Sequence, residues 1–139
     1  MKNVLSYIGV SAAAVFLLGS LPIQAQESAK AEIPFAFHTN LATYEGGTYQ
    51  VKALSITDST LVLTNQDTRK SSFVPTVSAL NATAKTEARG PVMIFKCEQG
   101  SCYLTEVWGS NQGYSISHPA TADEEASVTR IVALVRAAR

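Results

Sequence analysis

The residues of this chain whose types and spacing could do chemistry fall mostly in one stretch. Cys97 and Cys102 enclose Glu98-Gln99-Gly100-Ser101, with apolar, strand-like runs on both sides. A four-residue hairpin loop sets such a pair opposite each other, near the Cβ separation a disulfide needs. Closing so short a ring corresponds to about 2 kcal/mol of unfolded-state entropy. A redox pair of the thioredoxin kind uses C-x-x-C beside a βαβ pattern. Neither is present, so the pair reads as a structural staple, with two free thiols as the other arrangement. Glu106 follows, inside Thr105-Glu106-Val107-Trp108. If the staple sets the register, Phe95 faces Leu104 and Met93 faces Glu106. A period of two then puts Leu104, Glu106 and Trp108 on one face of the strand, with Tyr103 on the other. A carboxylate beside Trp108 and Met93 is a candidate for the raised pKa of a general acid. The plainer alternatives are a solvated Glu106 or one paired with Arg89 or a late arginine. Glycoside hydrolysis usually needs two carboxylates at a defined separation, and nothing fixes a second one here.

The remaining reactive types carry less. His38 and His118 are the two histidines. A metal site needs three or four converging ligands, and no H-x-H, H-x₃-H or His/Cys cluster occurs, so no metal and no cofactor is expected. Serine is plentiful, but G-x-S-x-G is absent, and Gly109-Ser110-Asn111 is ordinary turn chemistry. Asn81-Ala82-Thr83 matches a glycosylation sequon, a three-residue pattern given little weight.

The elements that would position these residues start with a leader. Met1-Lys2-Asn3 is a short positive start, Val4 to Leu18 is apolar, and Gly19-Ser20-Leu21-Pro22 breaks any helix. Ile23-Gln24-Ala25 follows. This is the layout of a secretory signal peptide over residues 1–25, with cleavage between Ala25 and Gln26. The apolar run falls short of the ~20 residues a bilayer span requires. No cysteine precedes Cys97 that could be acylated, and no later stretch is long and apolar enough to span. Residues 26–139 then form one exported domain, periplasmic or extracellular, where a disulfide persists. Hydrophobic residues make up 46% of the chain, enough to bury a core, whereas charged residues are only 16% and the two signs balance. That composition lacks the basic face that nucleic-acid binding or a membrane-surface helix would require.

Within the domain the hydrophobic period is two. Residues 26–31 read as a polar lead-in. Ile33, Phe35 and Phe37 alternate with smaller or polar residues, and Pro34 marks an edge strand or strand start. Tyr44-Glu45-Gly46-Gly47 is a turn. Strands follow at 48–56, 60–64 and 70–74, the last ending at Pro75. Residues 76–90, rich in Ala, Thr, Ser and Asn, could form a loop or a weak helix and read as irregular. Runs 92–97 and 102–108 form the clearest hairpin. After a turn at 109–113 comes a short strand at 114–117, then a helical turn near 121–127 with Thr121 and Glu124 as a capping box, then a last strand at 128–135. About eight short strands make this an all-β chain, a small antiparallel barrel or sandwich.

Ile33-Pro34-Phe35-Ala36-Phe37, Gly47-Thr48-Tyr49 and Tyr103-Leu104-Thr105-Glu106-Val107-Trp108 together resemble a family of small exported proteins from soil bacteria. That family carries a PF-x-F strand after its signal peptide, then a P-A-G-x-Y turn, and late in the chain an F-L-S-E-V-W strand. Here Glu45-Gly46 stands in place of Pro-Ala, and the cysteine pair is not a hallmark of the family. The resemblance implies export and a β fold and assigns no catalytic residue. The sequence therefore reads as a non-enzymatic envelope or extracellular module that binds a small molecule or another protein. The rival readings are a small hydrolase or lyase using Glu106 with a histidine, and a structural protein that self-associates through a strand edge.

Overall fold

The computed structural model describes residues 28–53, 60–110, 112–120 and 125–136. The leader, its cleavage site at Ala25 and Gln26, and the Thr121–Glu124 capping box lie outside them. The elements are β1 (Ser28–Ile33), β2 (Phe37–His38), β3 (Thr43–Tyr44), β4 (Gly47–Ala53), β5 (Thr60–Asn65), β6 (Ser71–Asn81), α1 (Ala84–Arg89), β7 (Val92–Glu98), β8 (Ser101–Trp108), β9 (Gln112–Ile116), β10 (Val128–Ala133) and β11 (Val135–Arg136). The described residues are all-β apart from one short helix.

The strands form a single curled sheet in the order β10-β7-β8-β9-β6-β5-β4-β1-β11. Two bends produce the curl. β6 pairs with β5 through Ser71–Pro75 and with β9 through Thr76–Asn81, and its register slips between Thr76 and Ser78. A bulge of this kind bends a strand and lets it pass from one sheet to another. At the other bend Leu134 alone separates β10, which pairs with β7, from β11, which pairs with β1. Its amide donates to the Pro91 carbonyl at 3.0 Å. The two ends of the sheet are thus consecutive pieces of one C-terminal segment. Counting that segment as one bent strand, the wall has about the eight positions that the sequence implies.

Alternation fills the inside. Ile33, Tyr49, Val51, Leu61, Leu63, Val74, Met93, Phe95 and Leu104 are all buried in one cluster. One end of the curl is plugged. Between β1 and β4 the chain leaves the wall, and its β2–β3 ribbon pairs at Phe37–Tyr44 and touches β8 in parallel at His38–Tyr103. Phe37 stacks on Tyr44 with ring centroids 4.8 Å apart and meets Tyr49 and Phe95 edge-on. Phe35 meets Phe95 edge-on, and the Arg130 guanidinium lies 5.0 Å from the Phe35 ring centre. This aromatic floor closes the end where β4 and β8 begin.

Several sequence expectations change. Residues 28–31 are not a lead-in but part of β1, paired with β4 throughout and with β11 at its start. The strand expected across Ile33–Phe37 stops at Pro34, which has no N–H to donate, so Phe35 and Phe37 belong to the floor rather than to an edge. β6 runs on through Pro75 to Asn81, with Pro75 opposite Thr60 at the last described pair of the β5 ladder. The rest of the irregular stretch forms α1. Its caps explain it: the Thr83 hydroxyl accepts from the Thr86 amide, Thr86 reaches back to the Thr83 amide, and Gly90 ends the helix at positive φ. No residue of α1 is buried. Near 121–127 the described part, Glu125–Ala126, is a turn.

Candidate functional site

The β7–β8 hairpin carries the cysteines. Cys97 and Cys102 are bonded, with Cα atoms 3.9 Å apart. The ladder extends one pair further than expected, to Glu98–Ser101, so the loop has two residues rather than four. Gln99 and Gly100 both have positive φ, at 50° and 81°. That is the backbone a two-residue turn needs to follow the twist of its strands.

Further along, the register departs from a simple ladder. Phe95 pairs with Leu104 as expected, but Ile94 pairs with Glu106 and Met93 with Val107. Thr105 is the extra residue of a bulge. It is buried, and its hydroxyl donates to the Ile94 carbonyl at 3.1 Å. The bulge reverses the side-chain parity of the rest of β8. Leu104 and Val107 both point into the core, while Glu106 and Trp108 stand on the outer face, the same side as Tyr103. The expected trio Leu104, Glu106 and Trp108 is therefore split, and Met93 does not face Glu106.

Glu106 and Trp108 are nonetheless brought together. The Trp108 indole N–H donates to Glu106 Oε2 at 2.6 Å. Across the sheet Trp108 pairs with Gly113. A Cβ at Gly113 would lie 2.5 Å from the indole ring, so the ring lies flat on the glycine backbone. Arg89, at the end of α1, places its guanidinium 5.7 Å from the centre of the same ring. Indole, carboxylate and guanidinium thus form one packed unit, which leaves Trp108 only 7% exposed. Arg89 reaches this site through the indole, with no bond to Glu106 among the described residues.

The end of the curl opposite the aromatic floor holds a cavity of about 540 Å³. It opens where β1 and β5 start and where β4 and β8 end. Its walls include Val51, Ala53, Leu61, Val107, Leu134 and Pro91, and Trp108 joins them at the rim. The polar side chains lining it are Ser28, Ser110, Gln112, Tyr114 and Arg136. Among the described residues, no aspartate, glutamate or histidine belongs to this lining. Tyr114 projects inward beside Val107, and its hydroxyl has no protein partner among the described residues.

The histidines lie at the floor end. His38 Nδ1 is 3.0 Å from the Thr43 hydroxyl, and its ring leans on Tyr103. His118 Nδ1 is 3.0 Å from the Ile116 carbonyl, and His118 lines a small recess with Tyr103. Among the described residues no three His, Cys, Asp or Glu side chains are grouped to hold a metal. Tyr49 belongs to the floor too. Its hydroxyl donates to the Glu45 carbonyl at 2.6 Å and accepts from Asn65 at 3.2 Å. Burial pushes its pKa above 10.0, with the Asn65 bond pulling the other way.

Sequence reasoning missed Gly113, Thr105, Leu134 and the cavity. One signal was available for Gly113, because a glycine within a strand pattern marks close approach of another group. Compared with protein-family models, curated proteins and solved structures, the chain finds no match. No helix among the described residues is long and apolar enough to cross a membrane.

Proposed function

We propose that this is an exported, non-enzymatic binding protein that holds a small and largely apolar molecule in the open end of its curled sheet. The cavity carries this reading. Its volume of about 540 Å³ lies within the ~300–1,000 Å³ typical of small-molecule sites. About half of its lining residues are aliphatic and five carry polar side chains, a mix that can combine affinity with orientation. The plugged floor makes it a pocket with one entrance rather than a channel, and β barrels commonly take ligands at the mouth. Export rests on the leader pattern and on the disulfide, which suits an oxidising compartment. The resemblance to the family of small exported proteins agrees with it. Against the hydrolase reading, Glu106 faces away from the cavity, and its carboxylate accepts a hydrogen bond from the Trp108 indole N–H.

The test is native mass spectrometry on protein recovered from its own host without denaturation. A bound mass on the monomer supports the proposal and identifies the ligand. A bare mass, unchanged after incubation with host small-molecule extract, rejects it. A mature mass beginning at Gln26 and two hydrogens lighter than the reduced chain checks the leader and the disulfide in the same experiment.

A further inference from the structure

One part of the cavity rim is held in place from outside the cavity. We infer that Glu106 is a positioning residue for ligand binding: it touches no ligand itself, and it fixes the Trp108 indole as the rim surface against which an alkyl-bearing ligand packs. The inference rests on the binding role proposed above. Trp108 is the last residue of β8 and lines the cavity beside Gly109 and Ser110. Val51, Leu61, Val107 and Leu134 continue the apolar wall from there, and burying an alkyl chain against such surface is favourable in proportion to area. Three contacts hold the indole. Its ring lies flat on the Gly113 backbone, where a Cβ would come within 2.5 Å. The Arg89 guanidinium lies over the ring, 5.7 Å from its centre, within the range of a cation–π contact. Contacts on a ring face resist tilting but let the ring turn in its own plane. The bond from the indole N–H to Glu106 Oε2, 2.6 Å long, is directional and stops that turn. Hydrogen bonds to a carboxylate are about twice as strong as neutral ones. A rim fixed in advance has a consequence for affinity. A loose indole must be ordered each time a ligand enters, which corresponds to about a two- to tenfold loss of affinity for one side chain. Glutamate and tryptophan two residues apart in Thr105-Glu106-Val107-Trp108 then have a purpose other than acid catalysis.

The test titrates decanol, a neutral alkyl probe, by calorimetry into the parent and its variants, each shown to be folded by urea unfolding. Glu106→Ala should weaken decanol by about two- to tenfold. Glu106→Gln, which keeps an oxygen acceptor, should bind like the parent. Trp108→Leu removes the indole, and in that background Glu106→Ala should have no further effect, because two residues acting through one contact are not additive. Acrylamide quenching of Trp108, the single tryptophan, should rise in Glu106→Ala and stay at the parent value in Glu106→Gln. Should Trp108→Leu not fold, the alanine and glutamine variants decide the matter by affinity and quenching together. Equal decanol affinity in the parent and Glu106→Ala overturns the positioning role and leaves the binding role standing. So does a Glu106→Ala effect that persists without the indole. Decanol that fails to bind a protein whose host-derived form carries a bound mass overturns the alkyl packing assigned to the indole. If decanol fails to bind and the host-derived protein is also bare, the binding role itself is wrong, and the role of Glu106 falls with it.

Discussion

The indole of Trp108 occupies the space that any side chain at position 113 would need. Gly113→Ala places a methyl carbon 2.5 Å from the ring, so the ring must lift off the sheet. The expected loss is about 1–3 kcal/mol of stability, as for other overpacked sites. Because Trp108 is the one tryptophan, a red-shifted emission should accompany the lower denaturation midpoint. A second residue links stability to pH. The raised pKa of Tyr49 means that its hydroxyl favours the protonated form more strongly in the folded state than in the unfolded one. Its contribution is thus complete below pH 10 and lost as pH rises through the folded value. The urea midpoint of Tyr49→Phe should accordingly fall less steeply above pH 10 than that of the parent, though it starts lower for want of the bonds to Glu45 and Asn65. At this scale the sequence was legible where alternation is regular: Phe95 opposite Leu104, and Cys97 opposite Cys102. It misled at Glu106, because the buried Thr105 adds one residue and leaves the written alternation of Leu104, Glu106 and Trp108 looking intact. Polar threonine inside an apolar strand gave no sign that its hydroxyl would stay inside with the Ile94 carbonyl.

Strands were readable because their signal is local, in apolar period and turn residues. The β7–β8 hairpin stood out for this reason, and its disulfide followed from the spacing together with the expected oxidising compartment. Replacing both Cys97 and Cys102 by alanine should lower stability by about 2 kcal/mol by the loop-entropy argument, measured by urea unfolding, and should leave the cavity at the far end of the hairpin intact. The helix α1 was not readable. A segment with no buried residue has no apolar stripe to detect, and α1 is held by its two caps instead. Nor did the sequence reveal where strands turn corners. Val77 at the bend of β6 resembles any strand residue, and Pro75 suggested a strand end well before Asn81, where β6 stops. What decides both is which neighbour each half of β6 pairs with, and that is settled by the whole sheet.

At the scale of the molecule, the Leu134 corner both bridges the ends of the sheet and forms part of the cavity wall. Leu134→Ala should destabilise by about 2–5 kcal/mol, the range for buried leucine truncations, and should also weaken whatever the mouth holds. The closing pair at this corner joins Ala29 to Arg136, and Lys30 to Val135, which are opposite ends of the described chain. β1 pairs with β4, which lies close to it in the chain, and with β11, which lies far from it. Pairings this far apart in sequence belong to the slow class of folding, in milliseconds to seconds rather than microseconds. The same seam that shapes the pocket is thus the pairing that closes the longest loop among the described residues.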